Sequence, residues 1–352
     1  MNILLIQLKR IGDLILTTPA ICALRQKFPD AHISVVVSRS CTPLLPAIPH
    51  IDRAYVIERN PADLSAYLQI ARTKFNICID FTRNSRSAVL TWLSGAKTRI
   101  GSHRIKRRTR LRQKAYNEFV PGRMRDAHMV DYNLSLLAPL GIHDVSPAVQ
   151  LVLPLEACHA AMEVQRHANI SQPFVVFHAG SARSEKFWEP KRWADVIIGA
   201  MERWHVTPVL TGSTSPQERS HIAEIEALLP RPSGNTGPNV IDLTGKIDLL
   251  TLAALIAQAR LLVTVDSAPM HLAAATATPQ IILFGPTNPF HWRPRHGSAV
   301  ILQGESQLPV HDFAPRQDRL PMKLISTQAV IDAMDSLLSM PVRAGLAPVK
   351  GL

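Results

Sequence analysis

The sequence predicts an α/β protein built from two doubly wound, Rossmann-like parallel-sheet domains that face each other across a cleft. Short apolar runs rich in β-branched residues alternate with segments of helical spacing along most of the chain. This alternation lapses once near the middle and then restarts. The length of 352 residues agrees with two domains, since a domain usually has ~100–200 residues.

The first predicted domain, residues 1–168, opens with an apolar strand, Asn2–Leu8, which a polar loop connects to the helix Pro19–Phe28. Further strands and helices follow in alternation: His32–Val37, Ala54–Ile57 and Asn76–Phe81 as strands, Pro61–Thr73 and Ser85–Leu93 as helices. Residues 101–126 are basic and turn-prone, without a periodic pattern. A helix at His128–Leu140, a strand at Leu151–Leu153 and a helix at Leu155–His167 complete this domain.

The second predicted domain, residues 169–326, begins after a linker at Asn169–Pro173, which we expect to act as a hinge. Its predicted strands are Phe174–His178, Thr207–Leu210, Asn239–Ile241, Leu261–Val265 and Gln280–Phe284. Its predicted helices are Pro190–Trp204, Pro216–Leu229, Leu249–Ala259 and Pro269–Ala275. Residues 327–352 form a last helix, Thr327–Leu338, and a tail without a pattern.

Charge and hydropathy limit the partners and the location. Lys and Arg total 39 against 27 Asp and Glu, a net charge of +12 that favours phosphates, nucleic acid or anionic lipid headgroups. No apolar stretch reaches the ~20 residues of a membrane span, and the first residues lack the basic-then-apolar order of a signal peptide. We therefore expect a cytoplasmic chain whose four separated cysteines are buried free thiols.

Several catalytic motifs are missing from the sequence. None of the 16 glycines forms a G-x-G pair, and there is no P-loop, which excludes dinucleotide-dependent dehydrogenases and P-loop NTPases. No D-x-D pair, H-E-x-x-H helix or Cys-x-x-Cys pair is present, so no metal site is predicted.

Candidate functional residues lie in loops that follow predicted strands, where open α/β sheets bind ligands. In the first domain, Asp13 follows the first strand, beside Gly12, and could act as general base on a hydroxyl. The alternative is that Asp13 caps the next turn.

In the second domain, the loop before the helix at Pro269 offers Asp266 or Ser267 as a cap and a helix N-terminus that suits a diphosphate. His271 lies in the first turn of that helix and could add a donor, or could simply be packed. The loop His178–Trp188 carries small residues, including Ser181, followed by Lys186 as a point charge for phosphate. With loops at Thr211–Ser213 and Gly285–Asn288, these predict nucleotide binding in the C-terminal half.

The motifs together resemble glycosyltransferase family 9, the bacterial heptosyltransferases that build the inner core of lipopolysaccharide. The resemblance rests on the run Leu5–Ala20, the segment His178–Trp188, and Val265–His271 with Phe284–Thr287, in the family's order. It implies a GT-B fold, an ADP-activated L-glycero-D-manno-heptose donor, inversion at the anomeric carbon, and no essential metal or other cofactor. Residues Phe290–Pro294 and the region of Asp318 and Arg319 look most like the branch that adds the third heptose.

The resemblance also assigns roles to residues. The family's proposed base falls on Asp13, and its phosphate-loop lysine on Lys186. Its glutamate near the adenosine ribose falls on Glu218, a looser match. Its D-[ST]-[GA]-x-x-H motif falls on four residues: Asp266, Ser267, Ala268 and His271. In many members the loop after Asp80 reads Leu-Gln-Gly, where this chain has Phe-Thr-Arg-Asn.

A basic segment interrupts the first domain. Between Arg99 and Lys114 the sequence contains eight basic residues and no acidic one. Under the resemblance, this segment meets the lipopolysaccharide core acceptor and the anionic inner face of the inner membrane through five residues: Arg104, Lys106, Arg107, Arg108 and Arg110. From the residues alone, the segment is either a solvated basic loop or an arm that binds nucleic acid, and the scarcity of nearby aromatic residues disfavours the arm. For the whole chain, the alternative enzyme is a sugar-nucleotide epimerase on the same fold.

Overall fold

The computed structural model describes residues 1–58, 60, 63–103, 110–230, 240–295 and 298–341. Its contacts divide the chain into two compact units, Met1–Val152 and Leu153–Leu352. Each unit contains one six-stranded sheet in which the strands pair in parallel. The α/β prediction with two doubly wound domains is therefore confirmed.

The first unit has the strand order β3-β2-β1-β4-β5-β6. Its strands are β1 (Asn2–Gln7), β2 (His32–Ser38), β3 (Arg53–Ile57), β4 (Ile77–Asp80), β5 (Thr98–Ser102) and β6 (Glu118–Val120). Its helices are α1 (Ile11–Ile15), α2 (Thr18–Lys27), α3 (Asp63–Arg72), α4 (Ser85–Leu93), α5 (Arg110–Gln113) and α6 (Met129–Ser135). The central strand β1 is buried from Ile3 to Gln7, which explains its continuous apolar run.

Three predictions for the first unit are wrong. Strands β5 and β6 lie partly within the basic stretch, because short strands at a sheet edge leave almost no periodic signal. Residues Leu151–Leu153 form no strand; the amide of Val152 donates to the carbonyl of Ala47 instead, at 2.9 Å. The helix predicted up to Leu140 ends at Ser135, and a 3₁₀ turn containing Pro139 follows it.

The second unit has the strand order β12-β11-β10-β7-β8-β9. Its strands are β7 (Phe174–His178), β8 (Thr207–Thr211), β9 (Ile241–Asp242), β10 (Leu261–Val265), β11 (Gln280–Phe284) and β12 (Ala299–Gln303). Its helices are α7 (Leu155–His167), α8 (Pro190–Trp204), α9 (Pro216–Glu226), α10 (Leu249–Gln258), α11 (Ala268–Ala275), α12 (Pro289–Trp292) and α13 (Thr327–Leu338). Of the strands, β12 was not predicted.

The division between the units lies after Val152, and not after Ala168 as predicted. Helix α7 packs on α10, and the side chains of Gln165 and Gln258 are hydrogen-bonded at 2.9 Å, so α7 belongs to the second unit. The segment predicted as a hinge, Asn169–Pro173, therefore lies inside that unit. Helix α13 packs on α8, so it too is part of the second unit.

Two predictions from composition can be compared with the structure. All four cysteines are free thiols, as predicted; Cys22, Cys41 and Cys78 are also buried, whereas Cys158 is partly exposed, so the prediction of burial is wrong for Cys158. Among the described residues, no helix combines the length and the apolar character needed to cross a membrane.

Candidate active site

Both sheets present ligand-binding positions at the strand where their order reverses. In the first unit β1 lies between β2 and β4, and in the second β7 lies between β10 and β8. At such a point, the connections to the strands on either side run over opposite faces of the sheet, which opens a crevice beyond the carboxyl ends of the strands. The loops that sequence analysis selected follow β1, β7, β8, β10 and β11.

Asp13 lies in the short helix α1, which directly follows the loop after β1. The N-cap residue of α1 is Arg10 and that of α2 is Thr17, so Asp13 caps neither helix. Its carboxylate Oδ1 is 3.3 Å from Nζ of Lys9. The structure thus places a mostly buried carboxylate beside one cation, with 12% of its side chain exposed.

Lys9 has a lowered pKa, mainly because burial disfavours its charged form. The negative charge of Asp13 opposes this effect, whereas the positive charge of Arg83 adds to it. The carbonyl of Lys9 also accepts a hydrogen bond from Ser38 Oγ, at the end of β2, at 3.0 Å. The partner of Asp13 is therefore held in place by the sheet.

A buried ion pair joins two loops of the second unit. Nζ of Lys186, after β7, donates to Asp266 Oδ2 at 2.6 Å and to the Asp266 carbonyl at 2.8 Å. The hydroxyl of Thr287, after β11, donates to the same Oδ2 at 2.6 Å. Side-chain exposure is only 10% for Lys186 and 9% for Asp266. The sequence predicted Lys186 and Asp266 as separate ligands; the structure brings them together with Thr287.

The start of α11 lies next to this ion pair. Ser267 is the N-cap residue and Ala268 the first residue of the helix, with Pro269 in its first turn. The Ser267 hydroxyl is 3.4 Å from the hydroxyl of Thr264, which also bonds to the carbonyl of His178 at 3.2 Å. His271, in the first turn, is buried. These contacts tie the predicted anion site to β7.

Glu218 lies in the first turn of α9 and is buried. Its Oε2 accepts a hydrogen bond from the amide of Ser213 at 2.8 Å. The same oxygen lies over Gly180, where a Cβ atom would be 2.3 Å away, so only glycine fits there. Ser181 is buried beside this glycine, and its hydroxyl accepts from the amide of Arg183 at 3.4 Å. The loops after β7 and β8 therefore meet at Glu218.

His178, at the end of β7, was quoted in the motif but given no role by the sequence. Its Nδ1 is 2.9 Å from the hydroxyl of Thr211 at the end of β8. Burial lowers the pKa of His178 to about 4, although the nearby charge of Glu218 acts in the opposite direction. The imidazole is thus neutral at neutral pH and joins β7 to β8.

Sequence reasoning also gave no role to Asp80, which ends β4 in the first unit and is fully buried. Its Oδ1 accepts from the amides of Thr82 and Arg83, at 2.8 and 2.9 Å. Its Oδ2 accepts from Ser87 Oγ and from the hydroxyl of Tyr116, at 2.7 and 2.6 Å. Burial and the adjacent Asp80 raise the pKa of Tyr116, which keeps that hydroxyl protonated.

The predicted basic contacts are mostly outside the described residues. This applies to Arg104, Lys106, Arg107 and Arg108, whereas Arg110 is exposed at the start of α5. Within the described ranges, no group of three or more His, Cys, Asp or Glu side chains could hold a metal ion.

The two doubly wound domains, one with a carboxylate after its first strand and one with a buried Lys-Asp-Thr cluster after its strands, have the architecture of the GT-B fold. The model of glycosyltransferase family 9 (heptosyltransferase) matches residues 65–317, and the chain belongs to this family. The family resemblance inferred from the sequence is confirmed.

Relatives and solved structures agree with this assignment. Lipopolysaccharide heptosyltransferase 3 of Escherichia coli is 29% identical over 337 residues, 93% of this chain and 96% of the relative. The protein of the same name in strain K12 is 30% identical, over 80% and 82% of the two chains. The family 9 glycosyltransferase structure from Veillonella parvula has a TM-score of 0.81 at 25% identity, covering 96% of this chain and 97% of its own. The E. coli ADP-heptose lps heptosyltransferase II has a TM-score of 0.77 at 21% identity, covering 96% and 98%.

Proposed function

We propose that this protein transfers L-glycero-D-manno-heptose from ADP-heptose to the inner core of lipopolysaccharide, as a member of the branch that adds the third heptose. The observation that carries the proposal is the Lys186–Asp266–Thr287 cluster at the ligand edge of the second sheet, in a chain of family 9. The names of the two E. coli relatives support the substrate and the branch.

The second unit holds the donor in this proposal. An ammonium has three donors, and Asp266 accepts from Lys186 through its carboxylate and its carbonyl, so the remaining proton can bind the departing diphosphate. The amides at the start of α11, around Ser267 and Ala268, add the positive end of a helix dipole, and His271 adds a side-chain donor. Ser181 lies in the same loop as Lys186. These groups stabilise the charge that develops on ADP without a metal ion.

Glu218 binds the adenosine ribose. Its Oε2 is already occupied by the amide of Ser213, which orients the carboxylate and leaves Oε1 for the ribose hydroxyls. The glycine at position 180 permits this orientation, because a side chain there would displace the carboxylate. A second-unit glutamate thus selects a nucleoside donor.

Asp13 acts as general base in the first unit. It removes the proton of the acceptor hydroxyl as that oxygen attacks the anomeric carbon from the face opposite the departing ADP, which inverts the configuration. Lys9, 3.3 Å from Oδ1 of Asp13, holds this carboxylate at the edge of the first sheet.

The basic segment, with Arg104, Lys106, Arg107, Arg108 and Arg110, contacts the anionic acceptor and the inner face of the inner membrane in this proposal, and the enzyme acts as a peripheral cytoplasmic protein. The net charge of +12 supports an anionic partner. Neither the epimerase nor the nucleic-acid alternative has support from the family match.

The test is incubation with ADP-heptose and lipopolysaccharides of defined truncation, with and without EDTA, reading ADP release and product mass. We expect one truncated acceptor to gain a single heptose, with ADP released in equal amount and no effect of EDTA. Altered ADP-heptose without acceptor modification would favour the epimerase and contradict the proposal, and a requirement for Mg²⁺ or Mn²⁺ would contradict the metal-free mechanism.

A further inference from the structure

The turn after β4 carries an arginine in a backbone conformation that favours glycine. Arg83 has φ of 66°, in the left-handed region where a Cβ atom is disfavoured. The chain therefore places a cation where the smallest residue fits the backbone best, and such outliers cluster at functional sites.

The surrounding structure holds this turn in place. The amide of Arg83 donates to Asp80 Oδ1 at 2.9 Å, and its carbonyl accepts from Arg112 Nη2 at 3.0 Å. The guanidinium carbon of Arg83 lies 4.5 Å from the ring centroid of Tyr132, and its Nη2 is 2.8 Å from Met124 Sδ. The hydrogen bonds to the Arg83 backbone thus hold its left-handed conformation, and the contacts with Tyr132 and Met124 fix the position of its guanidinium.

Three polar atoms in this cluster are buried without a hydrogen-bond partner among the described residues: Nε of Arg83, Nε of Arg112 and the hydroxyl of Tyr132. Neither guanidinium forms an ion pair with a described carboxylate of the first unit. Two partly buried guanidiniums, each with an unsatisfied Nε and without an ion pair among the described carboxylates of the first unit, are costly unless an anion binds there.

The cluster lies close to the proposed base. Strand β4 pairs with β1 so that Asp80 is opposite Ile6, and the turns after both strands lie at the same edge. The charge of Arg83 acts on Lys9, the partner of Asp13. A group bound by Arg83 would therefore be near the hydroxyl that Asp13 activates.

We propose that Arg83, supported by Arg112 and Tyr132, binds an oxyanion on the acceptor next to the reacting hydroxyl and so determines which acceptor is used. A guanidinium presents paired donors that match the two oxygens of a phosphate or a carboxylate. The inference rests on the proposed function, because it concerns the acceptor of that reaction. It adds a specificity-determining residue in the turn after β4.

The test compares Arg83→Gly with the matched control His50→Gly, since His50 is exposed in the same unit and has the same φ of 66°. For Arg83→Gly we expect the KM for the truncated acceptor to rise at least ~10-fold, the loss typical of a charged hydrogen bond, with the KM for ADP-heptose unchanged. Arg83→Lys keeps the positive charge but loses the paired donors of the guanidinium, so its KM for the truncated acceptor should lie between those of wild type and Arg83→Gly. The control should leave both KM values unchanged.

Stability provides a second readout, because glycine relieves the backbone at both positions. We expect the unfolding temperature of Arg83→Gly to stay level or to rise, as in His50→Gly. A clear fall in Arg83→Gly alone would mean that the arginine stabilises the fold, and it would overturn the inference.

Two modified acceptors identify the oxyanion: one with its phosphates removed by hydrofluoric acid and one with its carboxylates reduced. The difference in KM between wild type and Arg83→Gly should vanish with one of these two acceptors, and the group that this acceptor lacks is then the oxyanion that Arg83 binds. If it persists with both, the inference is wrong. Two measurements separate failure of this inference from failure of the proposed function. Absence of transfer by the wild type in the activity assay would refute the proposed function. Titration calorimetry with the deacylated acceptor needs no turnover, and equal acceptor affinities of wild type and Arg83→Gly would refute the inference.

Discussion

At the scale of single residues, the acidic side chains of the two units differ in how they are held. Asp13 has one cationic partner and retains an exposed edge, as a base that must receive a proton requires. Asp266 is satisfied by Lys186 and Thr287 and is nearly closed to solvent. This difference agrees with the proposed function, in which Asp13 transfers the proton and Asp266 positions Lys186 and Thr287.

Asp13→Asn should abolish most of the transfer while ADP binding stays intact, because Asp13 belongs to the first unit and the diphosphate site to the second. Loss of a general base slows a reaction by ~10²–10⁴-fold. The measurement is kcat with ADP affinity by calorimetry, and the exposed Asp30→Asn is the control. Near-normal turnover of Asp13→Asn would show that another group is the base.

Lys186→Met should destabilise the second unit by ~3–5 kcal/mol, because it leaves the Asp266 carboxylate buried without its cation. The double variant Lys186→Met/Asp266→Leu should be less destabilised, because it leaves no unpaired buried charge. Both variants should lose the ability to use ADP-heptose. Urea unfolding followed by tryptophan fluorescence measures this. In the same unit, the exposed pair Lys191–Asp195 is the control, and Lys191→Met should cost less than ~1 kcal/mol. Equal losses of unfolding free energy in Lys186→Met and Lys191→Met would contradict the interpretation that Lys186 stabilises the fold through a buried ion pair.

His178 should make the folded state sensitive to acid. Its pKa is about 4 when folded, against 6.5 as the ordinary value, so between these limits the unfolded chain binds a proton that the folded chain does not. The part of the unfolding free energy that is linked to His178, on the order of 3 kcal/mol, is therefore fully present above pH 6.5 and is lost as the pH falls towards about 4. His178→Gln should flatten this part of the curve of unfolding free energy against pH. The exposed His159→Gln should not.

At the scale of elements, the ligand edge of the second sheet is assembled by contacts between loops that are far apart in sequence. The loop after β7 reaches the loop after β10 through Lys186 and the start of α9 through Gly180. The loop after β11 joins through Thr287. Each contact involves neighbouring strands in the order β11-β10-β7-β8, so the sheet itself sets which loops can meet.

Gly180→Ala should raise the KM for ADP-heptose about tenfold, because a Cβ atom 2.3 Å from Glu218 Oε2 must displace the carboxylate. Once Glu218→Ala has removed that carboxylate, adding Gly180→Ala should have little further effect. Gly199→Ala in α8 is the control, since its Cβ would have ordinary contact with Ile331 at 3.7 Å. Additive effects of Gly180→Ala and Glu218→Ala would mean that the glycine acts in another way.

At the scale of the whole molecule, each unit has its own sheet and its own buried core, and the net charge of +12 covers the chain as a whole. Under the proposed function, variants in one unit should change acceptor use and variants in the other should change donor use. A surface field of this sign attracts anionic substrates and weakens as salt is added.

Neutralising the basic segment by Lys106→Gln, Arg107→Gln, Arg108→Gln and Arg110→Gln should weaken use of the native acceptor and flatten its dependence on salt. ADP affinity should not change, and the effect should shrink as salt shortens the screening length below ~8 Å. The matched control removes four exposed cations elsewhere in the first unit: Lys27, Arg72, Lys74 and Lys97. Loss of nucleic-acid binding with unchanged acceptor use would instead favour the nucleic-acid alternative.

The sequence by itself determined the alternation of strands and helices, because a strand buried on both faces must be apolar throughout and an amphipathic helix must repeat every 3.6 residues. It also selected Asp13, Lys186, Glu218 and Asp266 as candidate site residues, since each lies in or just after a loop that follows a recognisable strand. It missed β5, β6 and β12, whose short edge positions carry little periodic signal.

Only the tertiary structure decided which of these residues are partners. Lys186 and Asp266 are 80 positions apart, and Asp80 and Tyr116 are 36 apart, so no local pattern reveals either bond. The boundary after Val152 depends on the packing of α7 against α10, and the left-handed turn at Arg83 depends on Asp80 beneath it. Local preferences select elements, whereas the order of strands in the sheet brings distant side chains together and so determines the chemistry they share.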